Sequence, residues 1–126
     1  TDVDDWAIIG GGSLAHQFCH IGVHAMIQGG SRITKDVPPY ALAGRHPLSF
    51  CGLNNVGLRR RGFSNEQIDR IREIYRIIYN SGLNRSDACL EVEREVPPCI
   101  ERDNILNFIR ASKRGIIKFT DLSVDE

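Results

Sequence analysis

An aliphatic residue recurs every six positions over the first part of the chain. When residues 3–38 are written in sixes, the first position of each six is Val3, Ile9, Ala15, Ile21, Ile27 and Ile33. The fifth position is Ala7, Ser13, Cys19, Ala25, Ser31 and Val37. This repeat is typical of a parallel β-helix, whose coils bury their apolar face only by stacking on neighbours. Because side chains alternate along short strands, positions one and five are predicted to point inward.

Three hexapeptides per triangular coil would place residues eighteen apart directly above one another, so Ile9 should lie against Ile27. A helix is a poor alternative, since each interior glycine costs about 1 kcal/mol there. The segment holds glycines at 10, 11, 12, 22, 29 and 30. A glycine-rich loop is the other alternative, but a loop of this length would be unusual. Two coils are fewer than such folds usually need, so we expect further coils upstream and interpret the chain as the C-terminal part of a longer protein.

The pattern changes after Asp36-Val-Pro-Pro-Tyr40, where two prolines remove backbone donors from any ladder. Residues 41–63 are predicted to be an irregular connector with one extended piece. Ser64, with Gln67 three positions later, predicts a capped helix start. Further helices are predicted over residues 86–95 and 100–113. The expected organisation is therefore left-handed β-helix coils over 1–40, a connector over 41–63 and a small helical domain over 64–126.

Composition narrows the range of partners. Lys plus Arg and Asp plus Glu both number 16, so there is no general attraction to nucleic acid or an anionic membrane. No apolar run approaches the about 20 residues that span a bilayer, so no membrane span is expected. The four cysteines show no metal-binding or redox spacing, which favours reduced thiols in the cytoplasm.

The histidines give a weak metal signal. His16, His20 and His24 occupy positions two, six and four of their hexapeptides, so they should point in different directions. A metal site within one chain is not expected, although a site shared between subunits remains an alternative. His16 and Gln17 together offer donors and acceptors to a polar ligand, or they form a hydrogen-bonded interface pair.

The densest basic cluster is Arg59-Arg60-Arg61, which follows Asn54 and Asn55. Guanidinium groups match phosphate oxygens two at a time, so the cluster suits a phosphate or diphosphate. A solvated run of charge is the alternative interpretation.

Taken together, these motifs resemble a known family, the acyl-[acyl-carrier-protein]–UDP-N-acetylglucosamine O-acyltransferases that open lipid A synthesis in Gram-negative bacteria. The matching stretches include His16-Gln-Phe18, Lys35-Asp-Val-Pro-Pro-Tyr40, Gly57-Leu-Arg-Arg-Arg-Gly-Phe-Ser64 and Ser112-Lys-Arg-Gly-Ile116. The resemblance implies a homotrimer of left-handed β-helices, with active sites between subunits. It also implies transfer of a 3-hydroxyacyl group from acyl carrier protein to the 3-hydroxyl of UDP-N-acetylglucosamine. The family's general-base histidine and oxyanion-hole residue lie in an earlier segment, so this chain alone should be inactive.

The resemblance also assigns roles to particular residues. The implied substrate-binding residues are His16, Gln17, Asn54, Arg60 and Arg61. The implied acyl-chain groove contains Phe18, Met26, Gly29 and His46, and Gly29 leaves room for a long chain. Val56 stands where the family often has an acidic residue. The contact that this acidic residue makes with the ribose is therefore not expected in this chain. No cofactor or metal is implied, and Arg70, Arg72 and Arg76 are candidates for docking acyl carrier protein.

Two other classes stay open on the sequence. Pro38-Pro39-Tyr40 also occurs in acetyl-CoA-dependent hexapeptide acetyltransferases, although the arginine cluster and the helical region argue against that class. A non-catalytic trimerisation or binding module is the second alternative.

Overall fold

The coils are built from six two-residue strands. The structure, a computed structural model, describes residues 2–119. The strands are β1 (Asp2–Val3), β2 (Ile8–Ile9), β3 (Leu14–Ala15), β4 (His20–Ile21), β5 (Met26–Ile27) and β6 (Arg32–Ile33). Each strand of the first coil pairs in parallel with its counterpart one coil later: β1 with β4, β2 with β5 and β3 with β6. Ile9 lies opposite Ile27, so the predicted eighteen-residue stacking is confirmed.

The inward direction of positions one and five is confirmed for the second coil. Its first-position residues Ile21, Ile27 and Ile33 are at most 1% exposed. The same positions of the first coil are more open, with Val3 48% and Ile9 38% exposed. The described residues place a neighbour on only one side of the first coil, so the same pattern yields different burial.

Residues 41–63 are more regular than the predicted connector. They form β7 (Ala41–Gly44), β8 (Ser49–Leu53) and α1 (Asn55–Arg60). β7 pairs in parallel with β5 and antiparallel with β8, so the ladder of the coils continues beyond Pro39. The prediction of an irregular segment was wrong because β7 is largely buried and lacks the alternation of polar residues that marks a one-sided strand.

Three helices follow. They are α2 (Asn65–Asn80), α3 (Arg85–Glu95) and α4 (Ile100–Ala111). The capping box predicted at Ser64 is confirmed, since its hydroxyl accepts from the Gln67 N–H and the Gln67 side chain accepts from the Ser64 N–H. The last predicted helix ends two residues early, at Ala111. Thr1 and residues 120–126, which belong to the predicted coil and helical regions, lie outside the described residues.

The helices are attached to the coils by buried polar bonds. The Tyr75 hydroxyl on α2 donates to the Pro39 carbonyl, and the Ser112 hydroxyl donates to the Asp36 carboxylate at 2.6 Å. A final strand, β9 (Lys118–Phe119), pairs in parallel with β8 and completes a five-stranded sheet with order β2-β5-β7-β8-β9. The helical region is therefore fixed against the side of the second coil and the hairpin.

Over residues 2–119, every helix is too short or too polar to traverse a bilayer.

Candidate functional site

A buried amide joins α1 to the second coil. The Asn54 side chain is N-cap of α1, with its Oδ1 accepting from the Gly57 N–H at 3.3 Å. Its Nδ2 donates to the His24 carbonyl at 3.0 Å. Asn54 is only 5% exposed, so these bonds fix the start of α1 beside the edge of the coil. The amide has one further hydrogen on Nδ2 and one further lone pair on Oδ1 beyond these two bonds.

The arginines at the end of α1 face a cavity on that edge. The cavity has a volume of about 470 Å³. Its lining consists of Trp6, Ala7, Ile8, His24, Asn54, Gly57, Arg60 and Arg61. The structure therefore brings together Asn54, Arg60 and Arg61, three of the five residues predicted to bind substrate. We call this cavity the edge pocket.

A more apolar hollow adjoins the edge pocket and shares Ile8, Asn54, Gly57 and Arg60 with it. Its other lining residues are Met26, Leu42, Leu53, Asn55 and Val56, and its volume is about 510 Å³. Met26, predicted for the acyl-chain groove, thus lies next to the arginine cluster. The pair of cavities offers positive charge at one end and an apolar wall at the other.

Three aromatic rings are stacked along the same edge. The Trp6 and His24 ring centroids are 6.5 Å apart, and those of His24 and Tyr40 are 5.9 Å apart. Both pairs are close to parallel, with interplanar angles of 19°. We call Trp6, His24 and Tyr40 the ring stack. Phe63 packs against His24 with its ring nearly perpendicular, which covers the stack from the side.

All three ring-stack residues adopt left-handed backbone conformations. The φ angles are 63° for Trp6, 59° for His24 and 67° for Tyr40. Residues other than glycine rarely adopt such angles, which cost roughly 1–2 kcal/mol each. The corresponding corner of the next hexapeptides uses Gly12 and Gly30, also at positive φ. The ring stack therefore stands at corners where the coil demands a left-handed turn.

The chemistry of His24 is shaped by this environment. Burial lowers its pKa from the usual value near 6.5, and the nearby Arg61 guanidinium lowers it further, against an opposing effect of Asp5. The neutral imidazole is favoured, so His24 acts as an aromatic surface in the stack rather than as a cation. The sequence-based interpretation of His24 as a surface or interface histidine missed this role.

His16, Gln17 and Phe18 lie at a different corner of the coil. The His16 and Phe18 ring centroids are 5.9 Å apart. Nη2 of Arg114, just beyond α4, is 2.8 Å from both ring nitrogens of His16. The structure thus separates the predicted substrate residues into two clusters on one chain, with Arg114 as an unpredicted member of the second.

The remaining predicted groove residues lie apart from the edge pocket. Gly29 is exposed at a coil corner, where an added Cβ would be 3.0 Å from the Gly11 carbonyl oxygen. His46 is exposed in the turn between β7 and β8. Gln28, which precedes Gly29, accepts at Oε1 from the Arg45 N–H at 3.4 Å, so the two positions belong to neighbouring parts of the surface.

The arginines predicted to dock acyl carrier protein are all engaged with carboxylates. Arg70 bonds the buried Glu101 of α4 at 3.2 Å, whereas Arg72 bonds Asp69 at 2.7 Å on the same helix. Arg76 bonds Glu73 on the same helix. Their positive charge is therefore partly balanced, and Arg70 also holds two helices together.

The histidines of the coils have separate partners. His20 bonds the Asp4 carboxylate at 2.8 Å, His24 belongs to the ring stack and His16 contacts Arg114. In the part of the chain that the structure describes, no three metal-ligating side chains come together.

One sequence signal could have revealed the ring stack. Trp6 and His24 are eighteen residues apart and both occupy position four of a hexapeptide. Tyr40 follows His24 by only sixteen residues, because the coil is two residues shorter between Ile33 and Val37. Arg114 lies in the stretch 112–116 that resembles the family, but nothing in the sequence predicted its contact with His16, since that contact depends on how α4 packs against the coils.

Comparison with known proteins gives a consistent picture. The sequence profile of the family described as UDP N-acetylglucosamine O-acyltransferase, domain 2, matches residues 36–117. The chain is 42% identical over 116 residues to the acyl-[acyl-carrier-protein]–UDP-N-acetylglucosamine O-acyltransferase of Myxococcus xanthus, covering 92% of this chain and 45% of that protein. It is 39% identical to the enzyme of the same name from Thiobacillus denitrificans, covering 94% of this chain and 46% of that protein.

Solved structures agree with these sequence matches. The crystal structure of a UDP-N-acetylglucosamine acyltransferase from Bacteroides fragilis matches with a TM-score of 0.88 and 57% identity, covering 92% of this chain and 45% of that one. The Arabidopsis enzyme matches with a TM-score of 0.82 and 36% identity, covering 92% and 44%. The predicted fold class, left-handed β-helix coils followed by helices, is confirmed. The chain spans less than half the length of the relatives it matches.

Proposed function

Because the chain belongs to the family of UDP-N-acetylglucosamine O-acyltransferases, we propose that it is part of an enzyme that acylates UDP-N-acetylglucosamine. The 3-hydroxyl of the sugar attacks the thioester of a 3-hydroxyacyl group carried by acyl carrier protein, and the carrier thiol leaves. In lipid A synthesis this is the first step. The residues described here bind and orient substrate, whereas a histidine in an earlier coil takes the hydroxyl proton.

The convergence of Asn54, Arg60 and Arg61 on the edge pocket carries this proposal. A sugar nucleotide has two phosphates, and guanidinium groups bind phosphate oxygens through paired, charge-assisted hydrogen bonds. The amide of Asn54, fixed by its bonds to Gly57 and His24, supplies a neutral donor and acceptor for the polar nucleoside. Val56, at the rim of the adjoining hollow, leaves one ribose contact of the family unfilled.

The separation of the two clusters supports an active site shared between subunits. His16, Gln17 and Phe18 lie at a different corner from the edge pocket, so one chain does not supply both halves of a substrate site. In a homotrimer, a neighbouring copy would bring its His16 corner to the edge pocket of the first. We therefore propose the trimer as the functional unit.

The acyl chain of the donor is assigned to the apolar surface near Met26. Met26, Leu42 and Leu53 form an apolar wall beside the arginines, and Gly29 on the adjacent corner presents no side chain.

Acyl carrier protein is acidic, and the exposed arginines of α2 remain its proposed docking surface although each is paired with a carboxylate. All four cysteines are free, which suits the proposed location in the cytoplasm.

Arg60→Ala in the full-length protein tests the edge pocket. We expect the affinity for UDP-N-acetylglucosamine, measured by calorimetry, to fall by about 1–3 kcal/mol because a charge-assisted bond to phosphate is lost. Arg59→Ala is the matched control, since Arg59 donates to the Asn65 Oδ1 at 2.6 Å and does not line the pocket. Equal losses of affinity in both variants would mean that the arginine cluster attracts the nucleotide only through its overall positive charge. Binding of acetyl-CoA in place of the sugar nucleotide would favour the acetyltransferase alternative.

A further inference from the structure

We propose that Trp6 is a positioning residue that holds Arg61 in place for the diphosphate of the nucleotide. The proposal rests on the proposed function, because it assigns a task within the edge pocket. The juxtaposition that carries it is the Arg61 guanidinium carbon, which lies 3.6 Å from the centroid of the Trp6 ring.

The contact is a close cation–π pair between two elements that are far apart in sequence. Trp6 is at a corner of the first coil, whereas Arg61 follows the last residue of α1. At 3.6 Å the guanidinium is well within the about 6 Å at which such pairs attract. The indole therefore restricts the long side chain of Arg61, which would otherwise sample many rotamers.

The position of the guanidinium over the Trp6 ring is compatible with free donors on Arg61. A guanidinium that packs flat on an aromatic ring contacts the ring through its own planar face. Its five N–H groups lie in that plane and point outward from its edge. Other arginines of this chain are held through those donors, as Arg59 is by Asn65 and Arg72 by Asp69. Among the described residues, none accepts a hydrogen bond from the Arg61 guanidinium, so its N–H groups can bind phosphate oxygens.

The backbone conformation of Trp6 is an independent reason to infer a functional role for this residue. Its φ of 63° is strained for any residue with a Cβ, and Gly12 meets the same requirement at the next corner without that strain. Strained conformations persist where surrounding contacts compensate, and they cluster at functional sites. At Trp6 the compensation is the stack on His24 below and the guanidinium of Arg61.

His24 contributes to the same arrangement. Its lowered pKa keeps the imidazole neutral, so no second cation competes with Arg61 for the indole face or repels it. Trp6 thus lies near a flat, uncharged ring and directly against the Arg61 guanidinium. The result is a cation that is oriented before the nucleotide arrives, which lowers the entropy cost of binding.

A double-mutant cycle in the full-length protein tests the proposal. Trp6→Leu should weaken UDP-N-acetylglucosamine binding about two- to fivefold, the range of an exposed cation–π pair. Trp6→Phe, which keeps an aromatic face, should restore most of the affinity. In an Arg61→Ala background, Trp6→Leu should change the affinity little, because the residue through which it acts is gone. Uridine, which has no phosphate, should bind the parent and Trp6→Leu equally well.

A second measurement keeps the test decisive. Trp6 is the only tryptophan among residues 1–126, so the difference in tryptophan fluorescence between the parent and Arg61→Ala, before any nucleotide is added, should report on the surroundings of Trp6. An equal loss for Trp6→Leu with and without Arg61, or an equal loss for uridine, would overturn the positioning role while the sugar-nucleotide site stands. Absence of nucleotide binding by the parent, with the fluorescence change intact, would instead overturn the proposed function and with it the task assigned to the pair.

Discussion

The two coils of this chain carry the same hexapeptide pattern but experience different surroundings. Val3 and Ile21 occupy equivalent inward positions and pair in register, yet Val3 is 48% exposed and Ile21 is fully buried. Ile9 and Ile27 repeat the contrast, at 38% and 0%. The repeat determines which way a side chain points. How much water it loses depends on whether another layer lies above it.

The second coil is covered on both sides. Ile27 has Ile9 on one side and Ala43 of β7 on the other. Ile21 likewise lies between Val3 and Val37. Within residues 2–119, the second coil is thus the middle layer of a three-layered stack.

The largest effect is expected when Ile27→Ala is compared with Ile9→Ala. In the 126-residue chain, Ile27→Ala should lower the free energy of unfolding by about 2–5 kcal/mol, because it leaves a cavity between two layers. Ile9→Ala removes the same atoms from a partly hydrated site and should cost about 1 kcal/mol or less. Urea unfolding of both variants measures the difference. Equal costs would mean that the first coil is as well covered as the second.

The sequence predicted the regular part of this fold because a single periodicity controls it. The eighteen-residue stacking of Ile9 on Ile27 and the capping box at Ser64 both depend on local residues, and both are present. The β7–β8 hairpin was missed because its turn places Arg45 at a φ of 71°, without the glycine or asparagine that usually signals such a turn.

The candidate site was predictable to a similar extent. Motif resemblance identified Asn54, Arg60 and Arg61, and the structure brings them to one cavity. Trp6 was missed because its contact with Arg61 joins the first coil to the end of α1, and no local pattern encodes that approach. Arg114 was missed for the same reason, since α4 must first be docked before its side chain meets His16.

Gly10→Ala against Gly11→Ala tests how closely the two coils approach. A Cβ at Gly10 would lie 2.3 Å from the backbone nitrogen of Gly29, whereas one at Gly11 would meet nothing within 4 Å. Gly10→Ala should therefore push the coils apart and cost about 1–3 kcal/mol. Gly11→Ala should stay within about 0.5 kcal/mol of the parent. Thermal melting measures the difference between the two variants, which differ only in the position of one methyl group. Equal melting midpoints would contradict the close stacking of the two coils at Gly10.

The pH dependence of stability tests the ring stack, where the second coil lies between the first coil and Tyr40. The pKa of His24 is lowered in the folded chain, so its neutral form is favoured there and protons bind preferentially to the unfolded chain. Stability is therefore greatest above the unfolded value near 6.5 and falls as the pH drops below it. His24→Asn, in which the new side chain tolerates positive φ, should therefore make the stability less sensitive to acid between about pH 7.5 and 5.

His46→Asn is the matched control for that measurement, because His46 is exposed in the β7–β8 turn and is not in the ring stack. Urea unfolding at several pH values should give the His24 variant a shallower slope with pH than the parent, and the His46 variant shows the effect of removing an imidazole outside the ring stack. If both variants keep the parental slope, the imidazole of His24 does not resist protonation, and a neutral ring cannot be what backs Trp6. If the slope of the His24 variant is shallower, the same ring that stacks the second coil on the first also keeps a competing positive charge away from Arg61.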